Sequence, residues 1–307
     1  MHHIYDMVII GGGPGGYAAA LYAVRAGLDT IVLERLSAGG QMALTDQIDN
    51  YPGFVDGVDG WTLALNMQAG AERFGAKTEL ADVYSVRVEG DIKEVHTSEG
   101  TFYARTVILA TGANPRELGL PGEKELIGRG VNYCAACDGM FYKGKTVIVA
   151  GGGNTAAADA LLLSRICQKV ILVHRRDTLR ATKIYHEPLL QAKNVEFRWN
   201  SSISELIHNE SLTGVKLKDV NTGEESQVEC DGVFVSIGRN PASGLVKGQL
   251  ELDEGGYIKA DESTRTSLPG VFAVGDVRTK VVRQVITAAA DGATAVHFAE
   301  EYLASLS

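Results

Sequence analysis

The sequence has no apolar stretch long enough to cross a membrane uninterrupted, and it has no excess of basic residues. The apolar run from Met7 to Leu28 comes nearest to a targeting segment. No basic start precedes it and Gly11-Gly12-Gly13-Pro14-Gly15-Gly16 interrupts it, so it reads as strand, turn and helix rather than a secretion signal. Lys and Arg number 29 against 38 Asp and Glu, a net charge of −9, which argues against nucleic acid or an anionic membrane as the main partner. Cysteine is scarce, with four in 307 residues. Only Cys134 and Cys137 lie close together, so the expected setting is a reducing cytoplasm. A closed zinc site needs four ligands, usually as two spaced pairs. Cys167 and Cys230 stand alone and far apart, so no metal site is expected and redox work by the close pair is favoured.

What is present points the same way. The length suits two domains, each with its own core. Glycine is abundant, at 36 residues, and much of it is clustered. In Tyr133-Cys134-Ala135-Ala136-Cys137-Asp138-Gly139, two cysteines two residues apart can close and reopen a small disulfide, with the Asp138 carboxyl beside them. At a helix N-terminus, unpaired N–H groups would stabilise a thiolate there.

Tyr5 to Ile10 reads as a buried parallel strand running into Gly11-x-Gly13-x-x-Gly16. A helical segment follows, then strand Thr30 to Leu33 ending at Glu34. These glycines permit a tight turn and close approach to a pyrophosphate at the helix N-terminus, and Glu34 falls where a carboxylate meets a ribose 2′-hydroxyl. The unit recurs at a constant offset of 140 residues. Lys145 to Ala150 runs into Gly151-x-Gly153-x-x-Ala156, then a helix to about Ile166, then strand Val170 to Val173. Where the first unit has Glu34, the second has His174-Arg175-Arg176, with Arg180 four residues on. Arginines favour a 2′-phosphate through forked charged bonds, so the first unit suits the adenosine of FAD or NAD and the second suits NADPH.

Between and beyond these units the pattern is plainer. Trp61 to Phe74 is helix-compatible, and Ser85 to Val88 and Glu94 to Thr97 alternate like exposed antiparallel strands. Strand Thr106 to Ala110 ends at Thr111-Gly112, and Asn114-Pro115, Leu120-Pro121-Gly122 and Gly238 to Pro241 look like linkers. Alternation recurs at Gly214 to Lys218 and Gln227 to Glu229, ahead of strand Val233 to Ile237. Val271 to Val274 leads to Gly275-Asp276, and Arg283-Gln284 precedes an Ala-rich helix from about Val285 to Leu306. Asp276 suits a ribityl or ribose hydroxyl; a helix N-cap is its ordinary alternative. Cys167 and Cys230 read as structural thiols.

Taken together, Gly11 to Gly16, Gly39-Gly40-Gln41, Asn50-x-Pro52-Gly53, Ala110-Thr111-Gly112, Cys134-x-x-Cys137-Asp138-Gly139, Gly151 to Ala156, His174-Arg175-Arg176 with Arg180, and Gly275-Asp276 with Arg283-Gln284 resemble the low-molecular-weight thioredoxin reductases over essentially the full chain. The resemblance implies an α/β fold of two three-layer (ββα-type) dinucleotide-binding domains, an NADPH domain (114–243) inserted into a discontinuous FAD domain (1–113 and 244–307). It implies FAD on Gly11, Gly13, Pro14, Gly16, Glu34, Arg35, Gly39, Gly40, Gln41, Asn50, Val83, Ala110, Thr111, Gly112, Gly275, Asp276, Arg283, Gln284 and Val285. NADPH is implied on Gly151, Gly153, Asn154, Thr155, His174, Arg175, Arg176, Arg180, Ile237 and Arg239. Cys137 is expected to face the flavin, Cys134 to attack the disulfide of a thioredoxin or thioredoxin-like protein, and Asp138 to act as acid/base, in a cytoplasmic homodimer.

Two departures stand out: Ala157-Ala158-Asp159 replaces a paired Glu-Glu, and Pro241-Ala242-Ser243 replaces Pro-Asn-Thr. Rival readings are the reductase of a peroxide-reducing system, a flavin-dependent dithiol oxidase passing electrons to oxygen, and a non-catalytic NADPH-binding sensor. The arginines argue against the oxidase, and the intact cysteine pair argues against the sensor.

Overall fold

Strands Ile4–Ile10 and Thr30–Glu34 are apolar on both faces because they lie inside a parallel sheet that is covered on both sides. The computed structural model describes residues 2–45 and 47–306. The chain forms two compact units, one built from the residues up to Asn114 and those from Asn240 onward, the other from Pro115–Arg239.

In the first unit the parallel strands run in the order Lys77–Leu80, Thr30–Glu34, Ile4–Ile10, Gly100–Leu109 and Val271–Ala273. Strand Gly100–Leu109 is long enough to take two partners along its outer edge. Val107 to Leu109 pair in parallel with Val271–Ala273, and Gly100 to Ala104 pair antiparallel with Lys93–Thr97, which continues into Val83–Arg87. The two-residue period of the strands divides the core into two layers. Met7, Ile9, Val32, Ile108 and Phe272 pack with Tyr17, Leu63 and Ala295 of helices Pro14–Arg25, Gly60–Glu72 and Val285–Ser305. Val8, Ile10, Ile31, Leu33 and Val107 pack with Val86, Val95 and Ile258 on the other side.

The second unit repeats this plan. Its parallel strands run Val195–Arg198, Lys169–Val173, Thr146–Ala150, Gly232–Val235 and Val131–Asn132. Val147, Val149, Leu172 and Phe234 pack with Ala156, Ala160 and Leu163 of helix Asn154–Ser164. Ile148, Ile171, Val173 and Val233 pack with Leu206, Val215 and Leu217 of the antiparallel sheet Ser201–His208, Leu212–Asp219, Glu225–Glu229. Both units are thus the three-layer α/β arrangement expected from the sequence, and the second interrupts the first along the chain.

Two expectations are corrected. The strand expected to be exposed near Glu94 has Lys93, Val95 and Thr97 buried, because one of its faces covers the sheet; Lys93 Nζ donates to the Tyr302 hydroxyl at 3.1 Å. Leu120-Pro121-Gly122 is an anchored turn within the second unit rather than a linker. The connecting segments are the short strands Ala113–Pro115 and Arg239–Pro241, which pair with each other.

Candidate active site

The first glycine loop is fixed from both sides. Gly11 N–H donates to the Leu33 carbonyl at 2.9 Å, and Gly11 has φ +105°, where a Cβ would come within 2.5 Å of the Ala110 carbonyl oxygen. Only glycine adopts that conformation at so close an approach. Helix Pro14–Arg25 begins at Gly13 with no side-chain cap and with Pro14 in its first turn, so first-turn N–H groups remain available to an anion. Glu34 Oε2 accepts the Gly12 N–H at 2.7 Å and Oε1 accepts the Leu36 N–H at 3.1 Å, which holds the carboxylate against the loop beside exposed Arg35. The buried Tyr17 hydroxyl lies over Gly12, and burial pushes its pKa up to about 12.

Other expected residues of the first unit are held by hydrogen bonds, some of them to this loop. Gly39 N–H donates to the Gly12 carbonyl at 2.7 Å, which brings in Gly40 and Gln41, and Gln41 donates to Asn114 at 3.2 Å. Ala81 N–H donates to the Glu34 carbonyl at 2.9 Å, two residues before Val83. Ala110 N–H donates to Ile10, and Thr111 Oγ1 to the Ala242 carbonyl, both at 2.8 Å, with Gly112 in the left-handed region. Asn50 Nδ2 donates to Gln284 Oε1 at 3.1 Å. Gly275 N–H donates to Asp291 Oδ2 at 2.8 Å, and Asp276 lies in the same turn. The long final helix starts at Val285 and is capped by Gln284 with Thr287, so Asp276 is not its cap. Arg283 stacks over Tyr257 at 4.2 Å, and its buried Nε has no hydrogen-bond partner among the described residues.

The second loop has counterparts of these bonds, the first of them at the 140-residue offset. Gly151 N–H donates to Val173 at 3.0 Å, and Ser236 N–H donates to Ala150 at 2.8 Å. Helix Asn154–Ser164 again starts without a side-chain cap, at Gly153. Arg180 N–H takes the Gly152 carbonyl at 2.7 Å, as Gly39 takes that of Gly12. In place of Glu34, the buried ring of His174 packs on Gly152. Burial lowers its pKa, helped by the charges of Arg180, Arg176 and Arg175. Those three arginines are exposed, and none enters an ion pair among the described residues. Asn154 Oδ1 accepts the Thr182 N–H at 2.8 Å, so that oxygen secures the loop, while Thr155 is exposed. Ile237 is exposed, and Arg239 Nη2 donates to the Tyr133 carbonyl at 3.4 Å.

Cys134 and Cys137 form a disulfide with Cα atoms 5.3 Å apart. Cys134 caps the short helix Ala135–Asp138; Cys137 N–H donates to Cys134 Sγ at 3.2 Å, and Asp138 N–H donates to its carbonyl at 3.0 Å. Both cysteines and Asp138 are half-buried. In so short a helix Asp138 is both the last residue and an acid of the first turn. Cys167 and Cys230 are buried and free, their thiols pushed up to about 11 and about 12 by burial and then by the charge of Asp231. Among the described residues no group of three or more His, Cys, Asp or Glu is placed to hold a metal ion, and no helix is long and apolar enough to cross a membrane.

Two features were not assigned from sequence. Ser236 Oγ donates to Asp159 Oδ2 at 2.6 Å, and burial raises the Asp159 pKa despite that bond and the charge of Arg239. Glu123 is buried beneath the cysteine segment, bonded to Tyr133. Its signal was faint: a lone acid after Pro121-Gly122, ten residues before an aromatic that adjoins Cys134.

Paired glycine loops on two dinucleotide-type units, one of which also carries a closed dithiol pair, define a nucleotide-dependent disulfide oxidoreductase. The family model for pyridine nucleotide-disulphide oxidoreductases matches residues 5–292. A thioredoxin reductase of Streptomyces clavuligerus is 47% identical, covering 100% of this chain and 96% of its own; one of Treponema pallidum is 44% identical, covering 98% of each. Among solved structures, the thioredoxin reductase of Streptococcus pyogenes is 42% identical with a TM-score of 0.92, covering 99% of this chain and 100% of its own. The chain belongs to the pyridine nucleotide-disulphide oxidoreductases and, within them, to the thioredoxin reductases. Membership implies cofactors of the nicotinamide and flavin classes.

Proposed function

We propose that the chain passes two electrons from NADPH, by way of FAD, to the Cys134–Cys137 disulfide and on to the disulfide of a thioredoxin or thioredoxin-like protein. The observation that carries this reading is the pairing, in one unit, of the closed Cys134–Cys137 bond with a glycine loop flanked by three exposed arginines. Arg175, Arg176 and Arg180 suit a 2′-phosphate, whereas Glu34, held on Gly12, accepts from a free 2′-hydroxyl and repels a phosphate. The first unit therefore suits FAD and the second NADPH. The uncapped helix starts at Gly13 and Gly153 fit two pyrophosphates, and the unpartnered Nε of Arg283 offers a further donor on the FAD side.

When bound, the nicotinamide and flavin supply hydride transfer and the electron pair that opens the disulfide. The remaining steps belong to the chain. Cys137 would be the sulfur that takes up the electron pair from the flavin. The Cys134 thiolate attacks one sulfur of the acceptor disulfide, forming a mixed disulfide and releasing the other sulfur as a thiolate. Cys137 then displaces the second acceptor thiolate and closes Cys134–Cys137 again, while Asp138 carries protons. Met140 and Phe141, 58% and 48% exposed, follow directly on the same segment and suit contact with a protein acceptor. A cytoplasmic homodimer completes the reading; it is supported by the two free buried thiols and by exposed Leu44, Val55 and Trp61 in the first unit.

A steady-state assay tests this, with NADPH or NADH against oxidised thioredoxin, a disulfide peroxidase protein, or oxygen alone. Fast NADPH-dependent reduction of thioredoxin is expected. Turnover with oxygen alone that matches the protein acceptors would favour a dithiol oxidase instead.

A further inference from the structure

Tyr133, the residue before Cys134, is held at both ends. Its hydroxyl donates to Glu123 Oε1 at 2.7 Å, and its carbonyl accepts from Arg239 Nη2 at 3.4 Å. Glu123 is only 2% exposed, and its carboxylate also accepts the N–H groups of Leu118 and Gly119 at 2.8 Å and of Leu120 at 3.3 Å. The two residues before Tyr133 are locked in the sheet, Val131 against Val233 and Asn132 against Phe234. Burial raises the Tyr133 phenol pKa, and its bond to Glu123 and that carboxylate's charge raise it further, so the hydroxyl stays a proton donor at neutral pH. No nucleotide role claims Glu123 or Tyr133. Beyond Cys134 come a four-residue helix and then the short 3-10 turn Gly139–Tyr142, neither long enough to supply much order of its own.

We propose that Glu123 and Tyr133 are positioning residues for the redox pair: by fixing the backbone that enters Cys134, they keep its thiol close to Cys137 in the reduced state and so set how strongly reducing the dithiol is. The stability of a disulfide against an external thiol reflects the effective concentration of one sulfur at the other, and freedom at either end lowers it. A loosened Cys134 makes the disulfide easier to reduce and the dithiol a weaker donor. The inference rests on the reading of Cys134–Cys137 as the working couple.

The test is Tyr133→Phe, which removes one hydroxyl and leaves Glu123 its three backbone donors. The holoenzyme is equilibrated in glutathione redox buffers, and the Cys134–Cys137 state is read by alkylation and peptide mass. The buried Cys167 and Cys230 serve as slow-reacting internal controls. The expected result is a shift of the equilibrium toward the dithiol by about 3- to 10-fold, or about 14–30 mV for a two-electron couple. Glu123→Asp, which keeps the charge and shortens its reach, should shift it in the same direction. A lower melting temperature with an unchanged potential in both variants would make the cluster a structural anchor only and overturn the proposal. A parent protein whose disulfide does not respond to the buffers at all would instead overturn the redox reading beneath it.

Discussion

The backbone N–H of Cys137 points at the sulfur of Cys134, 3.2 Å away, and lies at the same distance from the Cys134 carbonyl oxygen. Once the pair is reduced, a donor in that place can stabilise negative charge on the Cys134 sulfur. Cys134 is therefore expected to be the sulfur that meets the acceptor. Cys137→Ser should accumulate a covalent mixed disulfide with oxidised thioredoxin, because the resolving thiol is gone, and Cys134→Ser should form none. Both should lose turnover to background. An adduct in Cys134→Ser but not in Cys137→Ser, on non-reducing gels, would reverse the assignment.

Coenzyme choice follows from the exchange of Glu34 for His174 between otherwise matching loops. Each direct charged bond to a 2′-phosphate contributes about 1.5–3 kcal/mol, so Arg175→Ala or Arg176→Ala should raise the KM for NADPH roughly 10- to 100-fold. NADH, which has no 2′-phosphate to lose, should be used almost as before. Equal losses with both coenzymes would mean that the arginines do not read the phosphate.

The loops were legible in the sequence because their chemistry is local. Gly11 and Gly151 sit directly after buried strands, and the offset between the repeats is ungapped through Glu34 and His174. The parallel strands were legible for the same reason, since being buried on both faces demands unbroken apolar runs. Long-range pairing was less visible. Nothing in Val131-Asn132 announces a strand, because two residues carry no period and their order comes from Val233 and Phe234 a hundred positions away. The burial of Lys93, beside the strand expected to be exposed, depends on Tyr302 in the last helix. Glu123 was hidden similarly, because its partners are mostly backbone N–H groups, which have no signature in sequence.

The proton-moving role proposed for Asp138 is separable by experiment from that of an ordinary first-turn helix acid. Asp138 ends the helix that Cys134 begins, and its charge reaches the buried Tyr142 phenol, whose pKa burial already raises. Asp138→Asn should slow acceptor reduction by about 10²-fold or less, the scale of one acid/base group, and should alter the pH dependence of kcat. Bleaching of the flavin by NADPH should be unaffected. A variant with parent-like turnover at every pH would remove Asp138 from the chemistry.

Asp291 supplies a stability prediction with a definite sign. It is buried between Arg278 and Lys280, each bonded to it at 2.8 Å, and it also accepts the Gly275 N–H. Burial by itself raises its pKa, but the bonds from Arg278, Lys280 and Gly275 outweigh that and hold it below the ordinary 3.8. A depressed folded-state pKa adds stability that is present above the unfolded value and lost as pH falls through the folded one. The parent should therefore lose this contribution only below about pH 4. Asp291→Asn leaves two buried cations without their counter-charge, which costs about 3–5 kcal/mol at neutral pH. It also weakens the turn that carries Asp276, so flavin retention on dilution should fall together with the melting temperature. Plotted against pH, the difference between parent and variant should be widest at neutrality and shrink below pH 4. A difference that stays constant into acid would show that the lost stability comes from packing and not from the charge on Asp291.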